Sequence, residues 1–245
     1  MARTMRTFFD VNAEHPDEFI LLDVSESHHL TKVLRLTEGD EVEALDGKGG
    51  KYKTKIASIE SKSVKLQIVE KEFFNNSNLN FRLAIALLKG NRWEDMIRPL
   101  TELGVSRLTP LLTERSESKI EEKKQGMKIK KWERVAIDAC KQSGNPWMPI
   151  FDNPQTLPFF FKDHANDENI FLGSLSPTAQ PFKEFKLENQ QNITILIGPE
   201  GGWSHEEENL AKSNGIKFFS LGQHTLRVET AALSALAVAR ESFLL

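Results

Sequence analysis

Between residues 193 and 245 two apolar runs, Ile193–Ile197 and Ile216–Leu221, each empty into a loop of glycine and polar residues that leads into a helical pattern. Runs of this length with β-branched and aromatic residues read as buried strands. The first loop is Gly198-Pro199-Glu200-Gly201-Gly202-Trp203, followed by Ser204, which starts a Ser-x-x-Glu capping box with Glu207. The second is Gly222-Gln223-His224-Thr225-Leu226-Arg227, followed by an Ala-rich helix from about Glu229 to Phe243. In an open α/β sheet, ligands sit at the carboxyl ends of strands, so the chain offers two ligand loops side by side. The glycines suit positive φ and close backbone approach to a ligand.

Upstream of residue 72 the pattern is different. Short strands are expected at Arg6–Phe9, Phe19–Leu22, Glu41–Asp46, Lys51–Ile59 and Val64–Val69, with a glycine hairpin at 46–50. Five such strands suggest a small barrel or sandwich. One helical segment, Ser25 to Leu36, interrupts them and places His29, Lys32 and Arg35 at three-residue spacing on one face. The Asn/Ser cluster at 73–80 reads as a linker, and from Phe81 strands alternate with helices, which argues for a parallel sheet covered on both faces. Pro99 is expected to kink or divide the helix that begins at Arg92. Pro110 requires a strand end or an irregularity, and Gly126 is expected to loosen the Lys-rich helix over 119–142.

With 32 Lys+Arg against 35 Asp+Glu, the net charge is −3, so a nucleic-acid surface must be a local patch. No apolar run is long enough to span a membrane and no signal core follows the N-terminus, so a cytoplasmic location is expected. The single cysteine, Cys140, leaves no internal disulfide and argues against a cysteine-built metal site; no metal is expected. Gly-x-Ser-x-Gly, His-Glu-x-x-His, Cys-x-x-Cys, the phosphate-loop signature and the dinucleotide fingerprint are all missing from the sequence. What remains is a site of backbone amides and carbonyls with Glu200, Arg227 and Glu229 nearby. It would suit a nucleoside cofactor that carries positive charge. Each glutamate also has a plain structural reading as a carboxylate at a helix N-terminus.

The pattern LIGPEGGWS with LGQHTLRVETA closely resembles the SPOUT methyltransferases of the RsmE type, which methylate N3 of a uridine in 16S ribosomal RNA. Segments at 6–10, 28–52, 101–119 and 131–144 resemble the family in family order, so the likeness covers nearly the whole chain. It implies a PUA-like RNA-binding β-barrel over residues 1–72, a linker at 73–80, and over 81–245 an α/β SPOUT domain with a parallel sheet whose last part forms a trefoil knot. It implies S-adenosylmethionine held by Leu172, Gly173, Ile197, Gly198, Pro199, Glu200, Gly201, Gly202, Leu221, Gly222, Thr225, Leu226 and Arg227. Arg227, Glu229 and Glu200 become the catalytic candidates. Arg227 would stabilise the uridine anion, and a glutamate would orient it or accept the N3 proton, directly or through water. Phosphate contacts are expected from Arg3, Arg6, His28, Lys32, Arg35, Arg115, Lys128 and Lys131. The partners implied are 16S rRNA in the small ribosomal subunit and a second copy of the chain, joined through the knot region and the last helix. Two positions depart from the family pattern, Arg98-Pro99 and Asn145. No motif specifies the methyl acceptor, so another rRNA or tRNA position, or a non-catalytic RNA-binding or ribosome-assembly role, fits the same residues.

Overall fold

The computed structural model describes residues 4–10, 16–75, 79–116, 120–165, 167, 169–187 and 192–244. The chain divides into two compact units: residues 1–76 with 137–148, and residues 77–136 with 149–245.

The first unit is built on a five-stranded sheet in the order β1-β3-β4-β5-β2, with β1 Arg6–Phe8, β2 Phe19–Leu21, β3 Glu41–Leu45, β4 Gly50–Ile59 and β5 Val64–Phe73. Only β1 and β3 pair in parallel. Along β4 the alternation is strict where it matters: Tyr52, Thr54 and Ile56 are buried while Lys53 and Lys55 are exposed. Register shifts at Lys53/Thr54 and Ile56/Ser58 curl the β4–β5 pair. The hairpin between β3 and β4 is held by Asp46, whose Oδ1 accepts the amides of Lys48 (2.7 Å) and Gly50 (2.8 Å), and Gly47 and Gly49 take φ of 71° and 102°. The core gathers Ile20, Leu22, Leu30, Val42, Tyr52, Ile56 and Leu66.

The expected helix over 25–36 takes another form. A short helix α1, Val24–His28, passes directly into a π-turn over His29–Val33, closed by the Leu34 amide to the His29 carbonyl at 3.0 Å. The wider turn and the left-handed φ of 58° at Arg35 remove the common face expected for His29, Lys32 and Arg35. The gain is apolar: Leu30 is fully buried, and Leu34 and Leu36 pack on the same core.

In the second unit β6 (Asn80–Ala86), β7 (Arg107–Leu112), β8 (Ile150–Phe151), β9 (Gln155–Thr156), β10 (Ile170–Gly173), β11 (Asn192–Ile197) and β12 (Lys217–Phe219) form a parallel sheet. Their order is β12-β10-β11-β6-β7-β8, with β9 beside the far end of β7. The helices are α2 Arg92–Glu102, α3 Glu122–Ser143, α4 Leu157–Asp163, α5 His205–Ser213 and α6 Val228–Leu244. The last of them packs on α2, β6 and β11. Because every strand runs the same way, the loops after β6, β10, β11 and β12 leave from one edge.

Two expected interruptions are absent. α2 runs through Pro99 as one helix, with Met96, Ile97 and Leu100 buried on both sides of the ring, so packing outweighs the lost bond. α3 is continuous through Gly126, whose missing Cβ would face open space. Pro110 does sit at an irregularity. The Leu111 carbonyl bonds the Leu87 amide on one side of β7, and the Leu108 carbonyl bonds the Asp152 amide on the other. Alternation therefore turns Pro110 toward the outer side, between the Arg107–Leu108 pairing with β8 and the Leu111–Leu112 pairing with β9.

One ionic cluster in the first unit joins Glu26, Lys141 and Asp138. Glu26 accepts the Thr7 hydroxyl (2.7 Å) and the Phe8 amide (3.2 Å) on one oxygen and the Lys141 ammonium (2.6 Å) on the other. Burial works against the Lys141 charge, but Glu26 and Asp138 hold its pKa above the ordinary lysine value. Glu26→Ala should cost about 2–3 kcal/mol in denaturant unfolding, since it strands a half-buried ammonium and a hydroxyl. A raised lysine pKa contributes stability that is complete below the ordinary value of 10.5 and lost as pH rises through the folded value. The stability gap between wild type and Lys141→Met should therefore narrow above that pH.

Candidate active site

Three of these strand-end loops line one cleft of about 270 Å³: the turn after β10 (Gly173 to Ser176), the loop after β11, and the loop after β12. Of the residues expected to hold a cofactor, the structure brings Gly173, Ile197, Gly198, Pro199, Glu200, Gly202, Leu221, Gly222, Thr225 and Leu226 to its wall. Leu172 is fully buried behind it in the core with Leu196 and Trp203. Gly201 is off the wall and gives its carbonyl to Arg115 (2.7 Å), and Arg227 is likewise off the wall and exposed. Trp203 and His224 on the wall belong to the two loops read from the sequence, whereas sequence reasoning missed Ser174, Leu175, Ser176, Glu208, Phe219, Val228 and Ala231. The apolar run Ile170–Leu172 leads into the polar turn Gly173-Ser174-Leu175-Ser176-Pro177, a signal that could have extended the Leu172-Gly173 loop to Ser176.

The glycines serve different purposes. Gly202 takes a φ of 70° and Gly222 one of 125°, and at neither does the missing Cβ position have a neighbour within 4 Å. Both open the wall of the cleft. Gly198 is required by an internal contact instead: a Cβ there would lie 2.9 Å from Cε2 of Trp203, whose Nε1 donates to the Gly173 carbonyl at 2.9 Å. The Trp203 ring thus joins the turn after β10 to the loop after β11. Gln223, His224, Thr225 and Leu226 make no hydrogen bond to any described residue, which leaves consecutive N–H and C=O groups for solvent or a ligand.

The capping box is present in full and reaches further than a cap. Glu207 Oε2 accepts the Ser204 amide (2.9 Å) and Oε1 accepts the Glu114 amide (2.9 Å), which fixes the loop after β7 to the start of α5. Arg115 follows immediately, exposed apart from its bond to Gly201.

The two glutamates expected to be catalytic meet on a residue to which the sequence assigned no role. Arg92, the first residue of α2, forks onto Glu229 (Nε to Oε1 2.6 Å, Nη2 to Oε2 2.9 Å) and also reaches Glu200 Oε1 at 2.6 Å. Its hydrogen bonds hold the Glu229 carboxyl below the usual carboxylate range and raise the pKa of the guanidinium. Glu229 is consequently a poor proton acceptor. Arg227 makes no side-chain hydrogen bond to a described residue.

The expected phosphate contacts separate into two groups. His28, Lys32, Arg35 and Arg115 are exposed. Arg6 is half-buried, paired with Glu43 (2.5 Å) and bonded to the carbonyls of Lys141 and Gln142, and it lies against Gly144. Lys128 (2.7 Å) and Lys131 both bond the carboxylate of Glu94, whose side chain is only 8% exposed. Burial works against the charge on Glu94, but the two ammonium groups outweigh it and keep its pKa below the ordinary value. Each of these three cations carries an internal ion pair, and the Lys131 side chain stays 54% exposed. Arg3 lies outside the described residues.

The RNA methyltransferase domain profile matches residues 75–240, and the RNA methyltransferase PUA domain profile matches residues 22–69. The chain is 35% identical over 221 residues to the ribosomal RNA small subunit methyltransferase E of Synechocystis, covering 89% of this chain and 71% of that one. The chain belongs to the RsmE family of RNA methyltransferases. This RsmE-family chain superposes on a Legionella pneumophila protein solved with the cofactor SAM, with a TM-score of 0.87, 30% identity and 98% of both chains covered. The ribosomal RNA small subunit methyltransferase E of Neisseria gonorrhoeae, bound to S-adenosyl methionine, shares the fold with a TM-score of 0.83 at 24% identity, again over 98% of both chains. The fold is therefore the α/β fold of these RNA methyltransferases, with a PUA-like sheet before it in the chain.

Gly198→Ala should displace the Trp203 ring and lower stability by about 1–3 kcal/mol, read by thermal unfolding and by the near-ultraviolet dichroism of the indole. Lys131→Met should destabilise the isolated protein with no RNA present, because it takes one counter-charge from Glu94.

Proposed function

We propose that this chain transfers the methyl group of S-adenosylmethionine to N3 of a uridine in small-subunit ribosomal RNA. The observation that carries the reading is the cleft itself. Three strand-end loops meet there, one of them with main-chain groups at 223–226 that bond to no described residue, and they offer two open glycine positions next to a carboxylate, Glu200. Main-chain donors and acceptors suit an adenine edge, the open glycines admit a ligand close to the backbone, and a carboxylate suits a cationic one. The Legionella protein of the same fold is solved with this cofactor.

S-adenosylmethionine, when bound, supplies an already activated methyl group on its sulfonium. The chain's own work is to position the uridine and remove the N3 proton, so that the N3–C bond forms as the C–S bond breaks. Arg227, whose side chain bonds no described residue, donates to the uridine as negative charge develops. Glu200 stands on the wall with one oxygen on Arg92, and it is the carboxylate that faces the ligand and takes the proton directly or through water. Glu229 acts through Arg92.

RNA is held in the first unit by His28, Lys32 and Arg35 and in the second by Arg115. We assign residues 1–72 to RNA binding and 81–245 to catalysis. The last part of the chain is threaded as a knot, and the enzyme works in the cytoplasm as a homodimer through α6, on which Val238 and Leu244 remain 44% and 43% exposed. No helix among the described residues is long and apolar enough to cross a membrane.

Mass mapping of small-subunit rRNA from a deletion strain tests substrate and atom together: one 3-methyluridine should be missing, and an unchanged map would end the proposal. Arg227→Ala should lower kcat by about a hundredfold while S-adenosylmethionine affinity by calorimetry stays near wild type. Replacing Lys32 by Ala should reduce the slope of log affinity against log salt by about 0.7–0.9, and Lys128→Ala should leave that slope unchanged.

A further inference from the structure

The loops after β11 and β12 face each other across the cleft; the first is tied to its surroundings by Trp203 on the Gly173 carbonyl and by Arg115 on the Gly201 carbonyl, and neither bond reaches the second loop. Within the first, the Gly202 amide bonds the Pro199 carbonyl at 2.9 Å. In the second, residues 223–226 bond to nothing described. Among the described residues, the side-chain hydrogen bonds that tie one loop to the other run through Arg92. Glu200 belongs to the loop after β11, Glu229 to the first turn of α6 where the loop after β12 ends, and Arg92 to the start of α2 after β6.

We propose that Arg92 is a positioning residue of this site, a clamp that sets the spacing of the two cofactor loops by holding Glu200 and Glu229 on one guanidinium. The assignment rests on reading the cleft as the S-adenosylmethionine site. A single solvent-facing ion pair would contribute little. Here the fork onto Glu229 uses two parallel N–H donors, and the second carboxylate shares Nη2. A planar guanidinium can satisfy both carboxylates at once, whereas a lysine ammonium is a point charge without the fork. The side chains are 36%, 58% and 26% exposed for Arg92, Glu200 and Glu229, so the clamp sits at the rim, where it can restrain the loops without filling the space between them. The same arrangement keeps Glu229 away from the wall and leaves the other oxygen of Glu200 for the ligand.

The test combines calorimetric binding of S-adenosylmethionine, steady-state kinetics and amide exchange of the unliganded protein, on the full chain, with R92A, R92K, E229Q and the R92A/E229Q double variant. R92A and E229Q should each raise the dissociation constant about tenfold, and the double variant should be no worse than R92A, because both remove one interaction. R92K should fall between wild type and R92A. With no cofactor present, exchange should quicken together in segments 198–203 and 223–229 of R92A. Multiplying effects in the double variant, or a rise confined to the KM for RNA with cofactor affinity unchanged, would overturn the clamp; the latter would make Arg92 an RNA contact. Should R92A fail to fold, R92K carries the test, and wild-type affinity in it would count against the fork. If the wild-type chain binds no S-adenosylmethionine, the cofactor reading fails. The exchange result then still decides the clamp, which falls if the two segments do not respond together.

Discussion

Parallel pairing of β6, β10, β11 and β12 is the constraint behind everything at the cleft. A parallel strand must be re-entered from the same end each time, so its C-terminal loops all emerge on one edge of the sheet. The order β12-β10-β11-β6 then places the loops after β10, β11 and β12 beside one another, although the sequence separates them by tens of residues. The start of α2 joins them because β6 is next to β11.

Charge in this chain is used first for the fold. Glu26, Glu43 and Glu94 are each partly or largely buried, and each is matched by a cation: Lys141, Arg6, and Lys128 with Lys131. Read along the chain, the lysines of α3 look like an electrostatic surface. Two of them turn out to neutralise a carboxylate on α2, since an ionised group at 8% exposure is tolerable only with counter-charges in contact.

Much of the fold was legible because local physics decided it. Alternation gave the curled sheet of the first unit, glycine at positive φ gave the 46–50 hairpin, and the Ser204–Glu207 box gave the start of α5. Local rules failed where packing overruled propensity. Pro99 and Gly126 do not break their helices, and the segment after His28 widens into a π-turn to bury Leu30. Residues 137–148 also group with the N-terminal sheet, where Cys140 and Met148 pack with Phe8 and Leu45, a partnership no periodicity could signal.

For the site, the sequence by itself determined which loops carry it, because short buried strands that end in Gly-Pro-Glu-Gly-Gly and in Gly-Gln-His-Thr-Leu-Arg can only expose those residues at a strand end. The tertiary structure alone decided what each residue does there. Gly198 makes room for Trp203, Leu172 stands behind the wall, and Arg92, more than a hundred residues from either partner, binds both glutamates. The reason is range: backbone conformation and burial pattern are written in neighbouring residues, whereas an ion pair or a ring contact depends on strand order, which brings together residues that share no local sequence.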